Sequence, residues 1–233
     1  MKMLIISDIH GNFAALQSIA EAADDVERVL FLGDVVDYGP QPRECIEWLR
    51  ENSWLNLRGN HDNAVFEHVD CKCGQAFHKY SVATREYTKK ILQDTDFEFI
   101  SPIKPSGRFE LDGKKVFIAH GAPSDPLFKY VKPSMRDGEL ANEVQGIEAD
   151  IVLLGHTHLQ MDRTVTGIRV VNPGSAGQSR DGDPRVGYAL WQDGEITLHR
   201  VAYDFEKTCC ELDGSDIEPD IIERMKQVLR TGV

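Results

Sequence analysis

Five short stretches of this 233-residue chain concentrate side chains that bind metals or move protons: Asp8-Ile9-His10, Gly33-Asp34, Gly59-Asn60-His61-Asp62, His120-Gly121 and Gly155-His156-Thr157-His158. Imidazole nitrogen mixed with carboxylate and amide oxygen suits a borderline divalent ion such as Mn, Fe, Zn or Ni better than Ca. Asp8, His10, Asp34, Asn60, His120, His156 and His158 are too many ligands for one ion. With Asp34 able to bridge, they suffice for two ions roughly 3.5 to 4 Å apart, leaving positions for water and substrate. Such a pair polarises a phosphoryl oxygen and lowers the pKa of a bridging water, so phosphoester hydrolysis is the reaction that fits best. His61 supplies a proton donor and Asp62 a carboxylate to orient it. Asp8 and His10 are two residues apart, as are His156 and His158, a spacing that puts both members of a pair on one side of an extended segment.

These stretches must be positioned by the elements that precede them, and each follows an apolar run. Lys2 to Ser7, Arg28 to Leu32 and Trp54 to Leu57 read as strands that stop at polar turns. Between them lie helical patterns: Asn12 is placed to cap a helix carrying Phe13, Leu16, Ile19, Ala20 and Ala23 inward, and Pro40 and Pro42 start a second carrying Ile46 and Leu49. This β-α-β-α-β rhythm belongs to a mostly parallel sheet, and such sheets keep their chemistry at the strands' carboxyl ends. From about 63 to 100 the pattern turns helical, with Phe77, Tyr80, Ala83, Tyr87 and Ile91 on one apolar face, and reads as an insertion covering one side of the site. Three hairpins are expected around Asp112-Gly113, Thr166-Gly167 and Asp193-Gly194, with a short helix near 138–145, a buried strand Ile151 to Leu154, and a closing helix at about 218–229.

Length favours one α/β domain spanning 1–233. Lys and Arg number 26 against 38 Asp and Glu, a net charge of −12 that repels nucleic acid and anionic membranes. A phosphate substrate therefore needs a locally positive site, which bound divalent metals supply. No apolar run approaches the ~20 residues of a membrane span, and Asp8 comes too early for a signal peptide, so a cytoplasmic location is expected. Five unevenly placed cysteines fit reduced thiols better than a disulfide framework.

Asp8-x-His10, Gly33-Asp34, Gly59-Asn60-His61-Asp62, His120-Gly121 and Gly155-His156-x-His158 resemble, in order, the motifs of the calcineurin-like metallophosphoesterases. Asn172-Pro173-Gly174-Ser175 is similar to a further mark of the family's small bacterial and archaeal phosphodiesterase branch. The resemblance implies a two-sheet β-sandwich flanked by helices, a four-layer α/β/β/α fold. It implies a first metal on Asp8, His10, Asp34 and His158 and a second on Asp34, Asn60, His120 and His156, with manganese favoured. It also implies that a metal-bound hydroxide attacks a small or nucleotide-like phosphodiester, while His61, its ring fixed by Asp62, stabilises the transition state or protonates the leaving oxygen. Protein phosphatases and dinucleoside tetraphosphatases of the family carry Gly-Asp-x-Val-Asp-Arg-Gly, whereas here Tyr38 stands in the arginine's place in Gly33-Asp34-Val35-Val36-Asp37-Tyr38-Gly39. Arg58 matches their Arg-Gly-Asn-His, so dinucleoside polyphosphate hydrolysis or phosphoprotein dephosphorylation is the alternative. A protein-binding scaffold, the role of the retromer subunit of this fold, fits poorly because His61 and all seven candidate ligands are present.

Among the remaining residues, Arg58 is a candidate bidentate contact to a phosphate and Arg180 a candidate to approach the site from its loop. Asp37 reads as a turn residue, since Asp34 already fills the ligand role. His68, Cys71, Cys73 and His78 cluster in the insertion, but Cys-x-Cys lacks the usual zinc spacing, and a solvent-facing loop is expected there.

Overall fold

The computed structural model describes residues 1–233. The first three strands are parallel; Lys2–Ile6 and Arg28–Phe31 are covered on both faces, which explains their unbroken apolar sequences, whereas Ser53–Asn56 lies at the sheet edge and leaves Trp54 exposed. β1 (Lys2–Ile6), α1 (Phe13–Ala22), β2 (Arg28–Phe31), α2 (Pro42–Asn52) and β3 (Ser53–Asn56) form the expected β-α-β-α-β run. Asn12 caps α1, its side-chain oxygen accepting from the Ala15 N–H at 3.3 Å, and Pro42 opens α2. Helices α3 (Asn60–Phe66), α4 (Gln75–Ile91) and α5 (Asp94–Ile100) occupy the helical stretch that follows.

The second half supplies β4 (Ser106–Leu111), β5 (Lys114–Ala119), α6 (Asp137–Val144), β6 (Ile151–Leu154), β7 (Gln160–Val165) and β8 (Ile168–Pro173). β9 (Val186–Gln192), β10 (Glu195–Val201), α7 (Phe205–Asp213) and α8 (Pro219–Thr231) complete the chain. Two five-stranded mixed sheets result, ordered β10-β9-β1-β2-β3 and β4-β5-β6-β8-β7. In the second, β5, β6 and β8 are parallel and the edge strands β4 and β7 antiparallel. The α/β sandwich flanked by helices is therefore present. No helix is long and apolar enough to cross a membrane.

Strand alternation divides β1 between two layers. Met3 and Ile5 point between the sheets, against Leu30, Ile118, Leu153, Val171 and the fully buried Trp191, whose indole N–H donates to Asp112 at 2.8 Å. Leu4 and Ile6 point outward and pack under α1 and α2 with Leu16, Ile19, Ile46 and Leu49. A third apolar layer joins α6 to the far face of the second sheet through Leu140 and Val144. Phe77, Tyr80, Ala83 and Tyr87 of α4 pack against α7, α8 and Tyr38, so the expected apolar face of the helical stretch is real and meets the carboxyl-terminal helices. Helix α7 was not expected: it buries little apolar surface beyond Cys209 and Leu212, too weak a pattern to read.

Candidate metal centre

The polar turns after β1, β2 and β3 meet those after β5 and β6 at the shared edge of the sandwich. Two buried groups form there, Asp8 with His10 and His158, and Asp34 with His120 and His156, each with its ligand atoms within 4.8 Å of one another. Asn60 joins the second group, its Oδ1 lying 3.0 Å from His120 Nε2. All seven expected ligands are thus brought together.

The backbone that aims them is not extended, contrary to the expectation for the two Asp/His-x-His pairs. Asp8, His10, Asp34, His156 and His158 all have left-handed φ, between 48° and 66°. Non-glycine residues adopt this region at a cost, and they gather at tight turns and at active sites. Close approach adds a second constraint. A Cβ on Gly59 would lie 2.0 Å from Asp34 Oδ1, and one on Gly155 would lie 2.0 Å from Ser7 Oγ. Asn172 Nδ2 donates to the Gly155 carbonyl at 2.6 Å, and Ser175 Oγ donates to the Asp8 carbonyl at 2.7 Å, so the Asn-Pro-Gly-Ser stretch ties two ligand turns together.

The proton arrangement fits bound cations. His10, His158 and His120 each give Nδ1–H to a backbone carbonyl, of Val36 at 2.8 Å, Gln178 at 2.5 Å and Leu32 at 2.9 Å. For His10 and His158, which stay neutral, this tautomer turns the Nε2 lone pairs inward, as in metal sites where an outer hydrogen bond orients each imidazole. The Nε2 atoms of His10 and His158 then face each other at 3.2 Å, lone pair to lone pair, an arrangement a cation between them relieves. Asp8 Oδ1 is buried without a hydrogen-bond partner. Asp34 Oδ2 lies 3.2 Å from His120 Nε2 and 4.0 Å from His10 Nε2, between the two groups. Its other oxygen accepts the His61 N–H at 2.8 Å.

Burial holds the imidazoles of His10 and His158 well below their usual pKa, leaving them neutral, the form that ligates. Burial pushes Asp8 up to about 7, with His120 opposing the shift and the Asp34 charge adding to it. Burial also opposes charge on His120, but Asp34 outweighs it and raises this imidazole to about 9. A position that draws a proton so strongly is one for which a divalent ion competes with greater charge.

His61 is buried beside the ligands, its ring edge-on to His10 with centroids 5.1 Å apart. Burial works against its protonation, and the charges of Asp34 and Asp37 more than offset that, raising its pKa. The carboxylate that holds its ring belongs to Asp37, which accepts from Nδ1 at 2.8 Å and from Arg85 Nε at 3.3 Å. The expectation that Asp62 fixes this ring is corrected. Asp62 instead accepts backbone N–H groups of Asp34, Val35 and Gly59 at 2.8 to 2.9 Å and so shapes the ligand turns. The turn at Asp34, Asp37 and Tyr38, all with φ near 65°, decides which carboxylate reaches the imidazole. The Gly-Asp-x-Val-Asp spacing carried this signal, and reading Asp37 as a turn residue missed it.

Of the two arginines, Arg180 is at the centre. Its guanidinium donates to Gln178 Oε1 at 2.6 Å, sits 4.1 Å from the Phe77 ring centroid and 5.4 Å from that of Tyr38, and lowers the pKa values of Asp8, His10 and His158. Arg58 turns instead to Glu67 at 2.9 Å on the surface. Tyr130, which the sequence did not single out, stacks on His156 with centroids 3.8 Å apart.

The expected solvent-facing loop at 68–78 is half right. His68 is exposed and His78 pairs with Asp70 at 2.7 Å, but Cys71 and Cys73 turn inward and are buried.

This fold and site are those of a known enzyme class. The chain belongs to the calcineurin-like phosphoesterase superfamily, whose domain model matches residues 1–193. It is 30% identical over 225 residues to the uncharacterized protein MJ0912 of Methanocaldococcus jannaschii, covering 87% of this chain and 88% of that one. The phosphodiesterase MJ0936 of the same organism is 26% identical over 190 residues, covering 80% and 91% of the two chains. Among solved structures, a metallophosphoesterase from Sphaerobacter thermophilus superposes over the whole of both chains with a TM-score of 0.81 at 27% identity. The protein is accordingly a metal-dependent phosphoester hydrolase.

Proposed function

We propose that the chain is a two-metal phosphodiesterase acting on small or nucleotide-like diesters. The observation that supports this most is Asp34 Oδ2, one buried carboxylate oxygen 3.2 Å from His120 Nε2 and 4.0 Å from His10 Nε2, shared between the two groups. Asp8, His10, Asp34 and His158 would hold one ion, and Asp34, Asn60, His120 and His156 the other. Bound there, the pair supplies Lewis acidity to the phosphoryl group and acidifies the attacking water.

The chain's own groups do the rest. Asp37 holds Nδ1 of His61, which leaves Nε2 to give its proton to the departing oxygen. Arg180, braced by Gln178 and Phe77, offers the planar fork of donors that binds non-bridging phosphate oxygens. It stands in for the arginine that Tyr38 replaces. With Arg85 paired to Asp37, Arg180 is the guanidinium left for substrate, which suits a diester with one negative charge better than a monoester with about two near neutral pH. Arg58, held by Glu67, does not complete the arginine pair of the phosphatase branch. The relative MJ0936, a phosphodiesterase, supports the same choice.

The test is manganese-dependent hydrolysis of bis(p-nitrophenyl) phosphate beside p-nitrophenyl phosphate, with metal-stripped protein as baseline. Faster metal-dependent cleavage of the diester is expected. Preference for the monoester overturns the diester reading in favour of a phosphatase.

A further inference from the structure

Beside the centre described above lies a third cluster of metal-binding side chains, made of different atoms. Ligand atoms of His61, Cys71 and Cys73 lie within 4.8 Å of one another. Both cysteines are free thiols, Cys71 fully buried and Cys73 9% exposed. Lys72 between them has a left-handed φ of 52°, and the two sulfurs on either side of it reach one point: Ser81 Oγ is 3.4 Å from Cys71 Sγ and 3.3 Å from Cys73 Sγ. The loop is pinned to the catalytic edge, because Asn60 Nδ2 donates to the Cys71 carbonyl at 2.8 Å.

The surroundings are polar and incompletely satisfied. The Tyr38 hydroxyl, on a residue 2% exposed, lacks a hydrogen-bond partner, and so do Asp37 Oδ1 and Arg85 Nη2. Two sulfurs and an imidazole in a buried polar pocket are a poor apolar core and a good soft-ligand set. As thiolates beside the Asp37 carboxylate they would carry three negative charges, which Arg85 and one divalent ion balance.

We propose that His61, Cys71 and Cys73 form a third cation site, selective for a thiophilic divalent ion such as Zn²⁺. Binding displaces the two thiol protons and any proton on the coordinating imidazole nitrogen, and forms two metal–sulfur bonds and one metal–nitrogen bond. Thiolate and imidazole prefer Zn²⁺ or Co²⁺ to Mn²⁺, whereas the seven-ligand centre offers only nitrogen and oxygen. The two sites therefore sort metals by softness. On the reading of His61 as proton donor, on which this consequence rests, a zinc ion here removes the imidazole from the reaction and inhibits a manganese-loaded enzyme.

The absence of sulfur from the seven-ligand centre provides a readout independent of turnover. Co²⁺ is titrated, under reductant, into the full-length manganese-loaded protein, and the thiolate-to-cobalt charge-transfer absorption in the near ultraviolet is followed. The expected result is growth of this band to one equivalent, its reversal by Zn²⁺, and its loss in Cys73→Ser and in the Cys71→Ser/Cys73→Ser double variant. No such band in the wild-type protein overturns the site, and so does a band that survives in the double variant, since it would then come from another thiol such as the exposed Cys210. A band that forms while manganese-supported turnover is unchanged upholds the site and removes His61 from catalysis, which separates the two readings.

Discussion

Oδ2 of Asp37 lies 2.8 Å from Nδ1 of His61, and Nε of Arg85 reaches the same oxygen at 3.3 Å. One buried carboxylate thus joins the proton donor proposed for the reaction to helix α4. The ring of His61 is set by a residue 24 positions earlier in the chain rather than by its neighbour Asp62.

His61→Ala should lower kcat by about 10²- to 10⁴-fold, the usual worth of a positioned general acid. Asp37→Asn keeps the imidazole but weakens its anchor, and a loss of about 10- to 100-fold in kcat with little change in KM is expected. Manganese content, read by atomic emission, should stay at the wild-type level in both variants. A parallel loss of metal would make these residues supports of the metal centre rather than of proton transfer.

The two arginines should separate in steady-state kinetics. A hydrogen bond to a charged phosphate is worth ~1.5 to 3 kcal/mol, so Arg180→Ala should raise KM by about 10-fold or more. Arg180→Lys should recover only part of this, because an ammonium lacks the planar fork. Arg58→Ala removes a surface pair worth ~0 to 1 kcal/mol and should change KM by no more than about 2-fold. The reverse ranking would place the phosphate beside Arg58.

Removing metal should cost stability. A ligand at about 1,000 times its Kd stabilises the folded state by ~4 kcal/mol, which for a chain of this size raises Tm by on the order of 10 °C. Thermal melts of chelator-treated protein against graded manganese should show this shift. Asp34→Ala should abolish it and His61→Ala should retain it. A Tm indifferent to manganese in the wild type would contradict the centre described above.

The meeting of the seven candidate ligands was legible because each follows an apolar strand, and strand ends in open sheets converge. The α/β layering was legible for a related reason, since unbroken apolar runs alternating with amphipathic helices leave few arrangements that bury them. What escaped reading depends on backbone handedness. Left-handed residues at Asp37 and Tyr38 swing Asp37, not Asp62, toward His61, and the one at Lys72 turns Cys71 and Cys73 inward. Nothing in residue type forces an aspartate, a tyrosine or a lysine into that conformation, so only the packed structure reveals it. The choice between Arg58 and Arg180 rests likewise on a tertiary contact, the seat Phe77 gives Arg180.

Each ligand group draws on both sheets: Asp8 and His10 follow β1 while His158 follows β6, and Asp34 follows β2 while His120 follows β5. The ions would act as rivets through the edge of the sandwich, and the angle between its halves becomes a setting of the metal centre. Trp191, wedged between those halves and remote in sequence from every ligand, is then a tuning element. A substitution there that tilts one sheet against the other would surface as altered metal affinity, and a screen for metal-binding mutants would find residues that touch no metal.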